Sequence, residues 1–239
     1  MDASDAAPAD VSPRAVRLAE LKRQLPRCVT QGWSGVSRCD GENPAALWQP
    51  GTIGEWLSPS LGSGTATLAW RSLASFLPQQ GLCTIVDSGR TCCAPAIAGW
   101  GIDLRRLLVI HPAKPQEAWW AIEQSLRSRG VAATCAWVDR VPERTLRRWQ
   151  LAAEVGGGIG LFFRPVETRR EPSWAEFRVL VSSVSAALGD ARRLRMELLY
   201  RRGGLEGRAQ VWELDHDEGD LQLVSPLANS TPSRSATSA

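Results

Sequence analysis

From residue 51 onward the chain alternates short apolar runs with stretches in which apolar residues recur every three to four positions. Short apolar runs bounded by turn residues fit strands buried on both faces of a parallel sheet, and the longer periodic stretches fit crossover helices. The pattern predicts strands at Ile53 to Leu57, Leu82 to Val86, Leu107 to Ile110, Thr134 to Val138 and Gly160 to Phe163. It predicts helices at Thr65 to Leu77, Pro95 to Trp100, Glu117 to Arg129 and Glu143 to Val155. In the third helix Ala118, Ile122 and Leu126 repeat every four residues, giving one apolar face that can lie on a sheet. The fold class read from this rhythm is α/β, a three-layer sandwich with a mainly parallel sheet.

The pattern changes towards the end. In LRMELLYRR, Leu194, Met196, Leu198 and Tyr200 alternate with Arg195, Glu197, Leu199 and Arg201, the period of a strand with one buried face. A turn rich in glycine (Gly203, Gly204, Gly207) leads to a second strand around Gln210 to Leu214. Strands joined by a short turn pair antiparallel, so a C-terminal hairpin is expected to extend the sheet, with Phe177 to Val181 beside it. Residues 1–12 and 227–239 are small and polar, too poor in apolar groups to offset ordering, and read as disordered tails. Residues 13–50 read as a lead-in: an amphipathic helix carrying Val16, Leu18, Leu21 and Leu25, then an irregular connection. That leaves 51–226 as the core.

Composition narrows the class. A chain of 239 residues suits one sizeable α/β core. No stretch approaches about 18 uninterrupted apolar residues, and the first thirty residues lack the pattern of a secretory leader, so a soluble, cytoplasmic protein is expected. The six cysteines contain no CxxC pair, and with only His111 and His216 there is no zinc set, so reduced thiols and no metal are expected. Cys92 and Cys93 precede Pro95 at a predicted helix start, where a thiol pKa can fall, but the spacing gives no Cys/His pair. The net charge is +3, and the only lysines are Lys22 and Lys114. The arginine excess has two readings, a G+C-rich genome or forked phosphate contacts.

The segment with chemical content is GTIGEWLSPSLGSGTATLAW, a strand, a loop of small residues and a helix. A phosphate-binding loop of the GxxxxGK[ST] type needs backbone amides at a helix N-terminus, a lysine for the terminal phosphates and a hydroxyl for magnesium. With Gly64 as the second glycine, Thr65 stands in the lysine position and Ala66 in the hydroxyl position. No shift of register restores the lysine, because none lies between Lys22 and Lys114. The loop Gly62, Ser63, Gly64, Thr65, Ala66 and Thr67 is either a structural turn or a phosphate loop stripped of its hydrolytic groups. Losing such charges from the site of phosphoryl transfer raises the barrier by several kcal/mol. No cofactor is expected, although amides and helix dipole leave room for weak nucleotide binding.

Beyond the loop the chain runs through GLCTIVDSGRTCCAP, then AIAGWGIDLRRLLVIHP, SLRSRGVAATCAWVD, RRWQLAAEVGGGIGLFFRP and finally MELLYRRGG with VWEL. In this order, over about residues 50 to 215, the phrases resemble the ImuA family, the SulA-related, RecA-like proteins encoded with error-prone polymerase genes. The resemblance implies a RecA-like sandwich and a role in DNA repair and translesion synthesis of the SOS type. It also implies partners: an ImuB-type polymerase-like adaptor, RecA and DNA. By the same comparison Asp139 matches the acid that would hold a magnesium-bound water, unless it caps the following turn. The base expected two residues after Asp87 is missing, since Gly89 stands there.

The resemblance to RecA-like recombinases implies that Arg164, at the end of LFFR, stands at a position that couples nucleotide to DNA, and Arg169 and Arg170 lie in the loop beyond it. Arg192, Arg193, Arg195, Arg201, Arg202 and Arg208 form a second basic cluster. These arginines are candidates for DNA or partner contact, against the alternative of a solvated surface or of charges that block edge pairing. Trp119 and Trp120 diverge by about 100° on a helix, so one packs inward and the other lies at a boundary. The expectation is a protein without hydrolytic activity that organises a polymerase complex. An atypical regulatory ATPase with a substitute cation and a SulA-like inhibitor of cell division are the alternatives.

Overall fold

The structure is a computed structural model that describes residues 44–78, 80–184, 192–203, 209–214 and 221–227. The N-terminal tail and lead-in helix, nearly all of the C-terminal tail, and Arg208 lie outside the described residues. Nine strands form one sheet: β1 (Ile53–Ser58), β2 (Leu82–Val86), β3 (Leu107–Ile110), β4 (Val131–Trp137), β5 (Ile159–Pro165), β6 (Phe177–Val184), β7 (Arg192–Arg201), β8 (Ala209–Leu214) and β9 (Leu221–Leu227), in the order β3-β2-β4-β5-β1-β6-β7-β8-β9. All pairings from β3 to β6 are parallel, and those of β6 with β7, β7 with β8 and β8 with β9 are antiparallel. The expected hairpin is present as β7 and β8, and β9 extends it by a strand that the apolar pattern alone leaves partly in the tail.

Among the described residues four helices cover the sheet: α1 (Thr65–Phe76), α2 (Ala94–Gly99), α3 (Pro115–Arg127) and α4 (Glu143–Gly156). On one face Leu68, Trp70 and Leu73 of α1 and Ile97 of α2 share a core with Trp56, Ile85, Leu161, Phe177 and Leu194. On the other, Ala118, Ile122 and Leu126 of α3 and Leu146 and Trp149 of α4 pack on Val86, Ala136 and Phe162. The three layers are therefore held by two cores, one on each face of the parallel strands. Trp119 is half-buried against the second core and Trp120 is exposed, the divergence expected of neighbours on a helix.

Local chemistry sets the helix ends. Pro115 opens α3, where the lack of an N–H costs nothing, and Glu117 accepts from the Ala113 amide at 3.0 Å. α4 stops at Gly157, whose φ of 77° lets its N–H turn back to the Ala153 carbonyl.

Under α3, Thr84 of β2 and Thr134 of β4 are register neighbours, both buried, and neither hydroxyl has a hydrogen-bond partner. A buried hydroxyl without a partner costs about 1–3 kcal/mol. Replacing both by the near-isosteric valine should raise stability by about 1–2 kcal/mol, read as a higher urea midpoint with an unchanged slope. A loss of stability would show that these hydroxyls are satisfied in solution.

Candidate functional site

The carboxyl ends of β1, β4 and β5 meet under the loop between β1 and α1, and the space among them is a cleft of about 360 Å³. The loop turns sharply at Gly62 (φ 78°) and Gly64 (φ 86°), backbone conformations that favour glycine. At Gly64 a second constraint applies: a Cβ there would lie 2.3 Å from Leu194 Cδ2 of β7. Helix α1 starts at once, with Leu68 N–H bonded to the Gly64 carbonyl and no side chain capping its first turn.

The loop is held from outside as well. Arg192 donates to the Gly62 carbonyl, and Ser183 Oγ donates to the Ser63 carbonyl at 3.2 Å. The Thr65 hydroxyl lies 2.8 Å from that of Ser63 and donates to the Val181 carbonyl at 3.3 Å. Thr65 is thus buried and turned towards β6. Ala66 and Thr67 line the cleft half-buried, and Ala66 brings no hydroxyl to it. Asp139, just past β4, is exposed at the rim of the cleft. Beside it Trp137 is 40% exposed and stacks on Phe163 with ring centroids 4.9 Å apart. Sequence reasoning missed this tryptophan. Its signal was an aromatic at the outer end of a strand, where the sheet offers nothing to bury it.

Asp87 directly follows β2, and its carboxylate accepts from the Thr91 amide at 3.1 Å and the Cys92 amide at 2.8 Å. It folds the next loop onto itself and leaves Gly89 exposed at the tip. The thiol of Cys92 is pushed up by burial, and further by the Asp87 and Cys93 charges, the reverse of the lowering expected at a helix start. Helix α2 has only six residues, and the neighbouring carboxylate opposes its weak dipole. Burial pushes Cys83 up to about 11 and Cys135 well above the usual thiol range. Both thiols should resist alkylation at pH 8 in the folded protein and react fully in denaturant, as mass spectrometry of the modified peptides would show.

The basic candidates do not form one surface. Arg164 requires a correction: its side chain is fully buried, bonded to Glu55 Oε1 at 2.9 Å, Glu171 Oε2 at 2.7 Å and the Asp139 carbonyl at 2.9 Å. A guanidinium so enclosed holds the strand ends together and does not reach DNA. The other oxygen of Glu55 lies 2.7 Å from Arg178 Nε, and Arg178 also donates to the carbonyls of Thr168, Arg169 and Glu171. Arg169 pairs with Glu197 at 3.3 Å, and Arg170 is exposed beside it.

Arg192 sits at the cleft, whereas Arg201 and Arg202 lie at the other end of β7, nine residues and about 30 Å of extended strand away. Arg201 donates to the Ala46 carbonyl at 3.2 Å, and Arg202 is 3.8 Å from Glu176. Sequence reasoning missed Glu55 and Arg178. The signal was a lone charge inside each of two apolar strands, opposite in sign, which only pairing makes tolerable.

Among the described residues no group of three or more His, Cys, Asp or Glu is placed to hold a metal ion, and no helix is long and apolar enough to cross a membrane. No protein-family model matches the chain. Among solved structures, SulA from Pseudomonas aeruginosa superposes with a TM-score of 0.40 at 18% identity, covering 47% of this chain and 97% of that one. Two curated proteins named Protein ImuA, from Caulobacter vibrioides strains NA1000 / CB15N and ATCC 19089 / CIP 103742 / CB 15, are each 27% identical over 207 residues. That match takes in 79% of this chain and 84% of theirs, so the chain is similar to Protein ImuA along most of its length.

Proposed function

We propose that this protein is a RecA-like accessory factor of DNA-damage tolerance that acts in the cytoplasm without hydrolysing nucleotide. In this reading it recruits or organises an error-prone polymerase complex, with an ImuB-type adaptor, RecA and DNA as its partners. The similarity to Protein ImuA supports the setting. The observation that carries the absence of hydrolysis is Thr65: the residue in the place of the phosphate-loop lysine is buried and spent on Ser63 and the Val181 carbonyl. Ala66 lacks the hydroxyl for magnesium, and Gly89 stands where a base would activate water. Without a cation and metal on the departing phosphate, the transition state loses its main electrostatic stabilisation.

A second reading has one observation in its favour. Arg192 reaches the loop from β7 and puts a guanidinium at the cleft, as a substitute cation would in an atypical ATPase. Titration of the full chain with ATP, with and without magnesium, separates the two. A non-hydrolytic factor should bind ATP weakly and independently of magnesium, with no turnover on adding single-stranded DNA. Tightening of tenfold or more with magnesium, together with turnover lost in Asp139→Ala and Arg192→Ala, would overturn the proposal. Affinity purification after DNA damage tests the partners, and recovery of a polymerase complex is the expected result.

A further inference from the structure

A second cleft, of about 370 Å³, opens beside the first between α3 and the carboxyl ends of β2 and β4. These two strands are parallel neighbours whose chains leave in opposite directions, from β2 to α2 on one face and from β4 to α4 on the other. Adjacent strands whose connections part in this way leave a crevice at their carboxyl ends, where α/β sheets take their ligands. The lining draws Val86 and Ala136 from β2 and β4, Trp119 and Ile122 from α3, and Val138 and Val141 from the segment after β4. Most of the lining side chains are apolar, with Ser88, Lys114, Asp139 and Arg140 adding polar groups, and the volume is at the small end of the range for binding pockets.

The rim is charged. Lys114, at the start of α3, and Arg140, in the turn before α4, are both exposed and lack an ion-pair partner among the described residues. Many cations elsewhere are engaged: Arg105 with Asp103, Arg127 and Arg148 with Glu123, Arg169 with Glu197, and Arg164 and Arg178 with Glu55. Glu117, bonded to the Ala113 amide, keeps its charge near Lys114 but does not line the cleft, and Asp139 is the one carboxylate in the lining, at the end shared with the loop cleft. Two exposed cations, one at the start of α3 and one in the turn before α4, against a single lining carboxylate, suit an extended acidic segment that sinks one large apolar side chain into the cleft. Such anchors supply most of the energy in protein interfaces, and a charged rim adds rate and selectivity.

We infer that this cleft docks a partner protein through an acidic peptide segment whose single aromatic or large aliphatic side chain enters between α3 and the ends of β2 and β4. The inference does not depend on the polymerase-accessory reading, because it rests on the lining and rim of a different cleft. Leu or Phe flanked by Asp or Glu is the expected sequence signature.

The test uses displayed random peptides selected on the full-length protein, followed by fluorescence anisotropy with labelled copies of the winners. Enriched peptides should carry one large apolar residue among acidic ones, and should bind the charge-reversed variant Lys114→Glu/Arg140→Glu at least tenfold more weakly. Both substituted side chains are exposed, so the variant is expected to fold, and its thermal transition checks this. Ala118→Met, which narrows the cleft from α3, should weaken the same peptides while leaving the charges intact. Winners without acidic residues, equal binding to the charge-reversed variant, or no enrichment at all would overturn the inference. So would a single-stranded oligothymidine that binds wild type but not the charge-reversed variant, since the cleft would then belong to nucleic acid.

Discussion

Glu55→Ala is expected to destabilise the protein by about 3–5 kcal/mol, the usual cost of removing one partner from a buried ion pair. Glu55 is fully buried on β1 between two arginines, with Oε1 2.9 Å from Arg164 Nη1 and Oε2 2.7 Å from Arg178 Nε. Removing its charge strands both guanidiniums in the interior, with only the half-exposed Glu171 left to Arg164. A domain of ordinary stability has about 5–15 kcal/mol in all, so the variant should be near its limit. Urea unfolding followed by circular dichroism measures the difference. A loss below about 1 kcal/mol would mean that water reaches the cluster in solution. The triple variant Glu55→Leu/Arg164→Met/Arg178→Met should recover part of the loss, because apolar replacement removes the desolvation cost along with the charges. Recovery will be incomplete, since Arg164 also ties down the Asp139 carbonyl and Arg178 those of Thr168, Arg169 and Glu171.

Gly156→Ala should be nearly as damaging by a different route. Gly156 is the last residue of α4 and lies against the end of α3, where an added Cβ would sit 1.9 Å from the Leu126 carbonyl oxygen. The obstacle is backbone, which cannot rotate aside as a side chain would, so α4 must lift from α3. Overpacking of this kind costs about 3 kcal/mol, or about 6–12 °C in the melting temperature of a chain this size. Gly99→Ala is the control. Its Cβ would meet nothing within 4 Å at the end of α2, so the substitution should be neutral or stabilise by up to about 1 kcal/mol. Equal melting temperatures for Gly156→Ala and wild type would show that the two helices leave room for a methyl group between them.

Much of the sheet was legible because apolar periodicity and burial are two expressions of one constraint. β2 and β3 match the predicted spans residue for residue, and Ala118, Ile122 and Leu126 are the buried stripe of α3. Boundaries slipped where no contrast marks them: Val131 to Ala133 extend β4 towards its start as part of one buried run in which Thr134 is the only polar residue. The loop could be placed from its glycines and the helix after them. What occupies it could not, because Ser183, Arg192 and Leu194 come from strands more than a hundred residues later. The same limit applies to Arg164. A strand-end arginine looks available until the fold sets Glu55 and Glu171 on either side of it. The basic cluster around β7 was likewise a cluster only along the chain, since alternation sends its members to opposite faces and the strand's length parts its ends.

The contact of Gly64 with Leu194, and of Gly62 with Arg192, makes the loop a joint between two halves of the sheet. The parallel strands carry it, but the antiparallel extension fastens it. A body that grips β7 from outside therefore has leverage on the first cleft without entering it. Any shift of β7 would carry Arg192 and Leu194 with it, so the seating of the extension and the shape of the loop are set together.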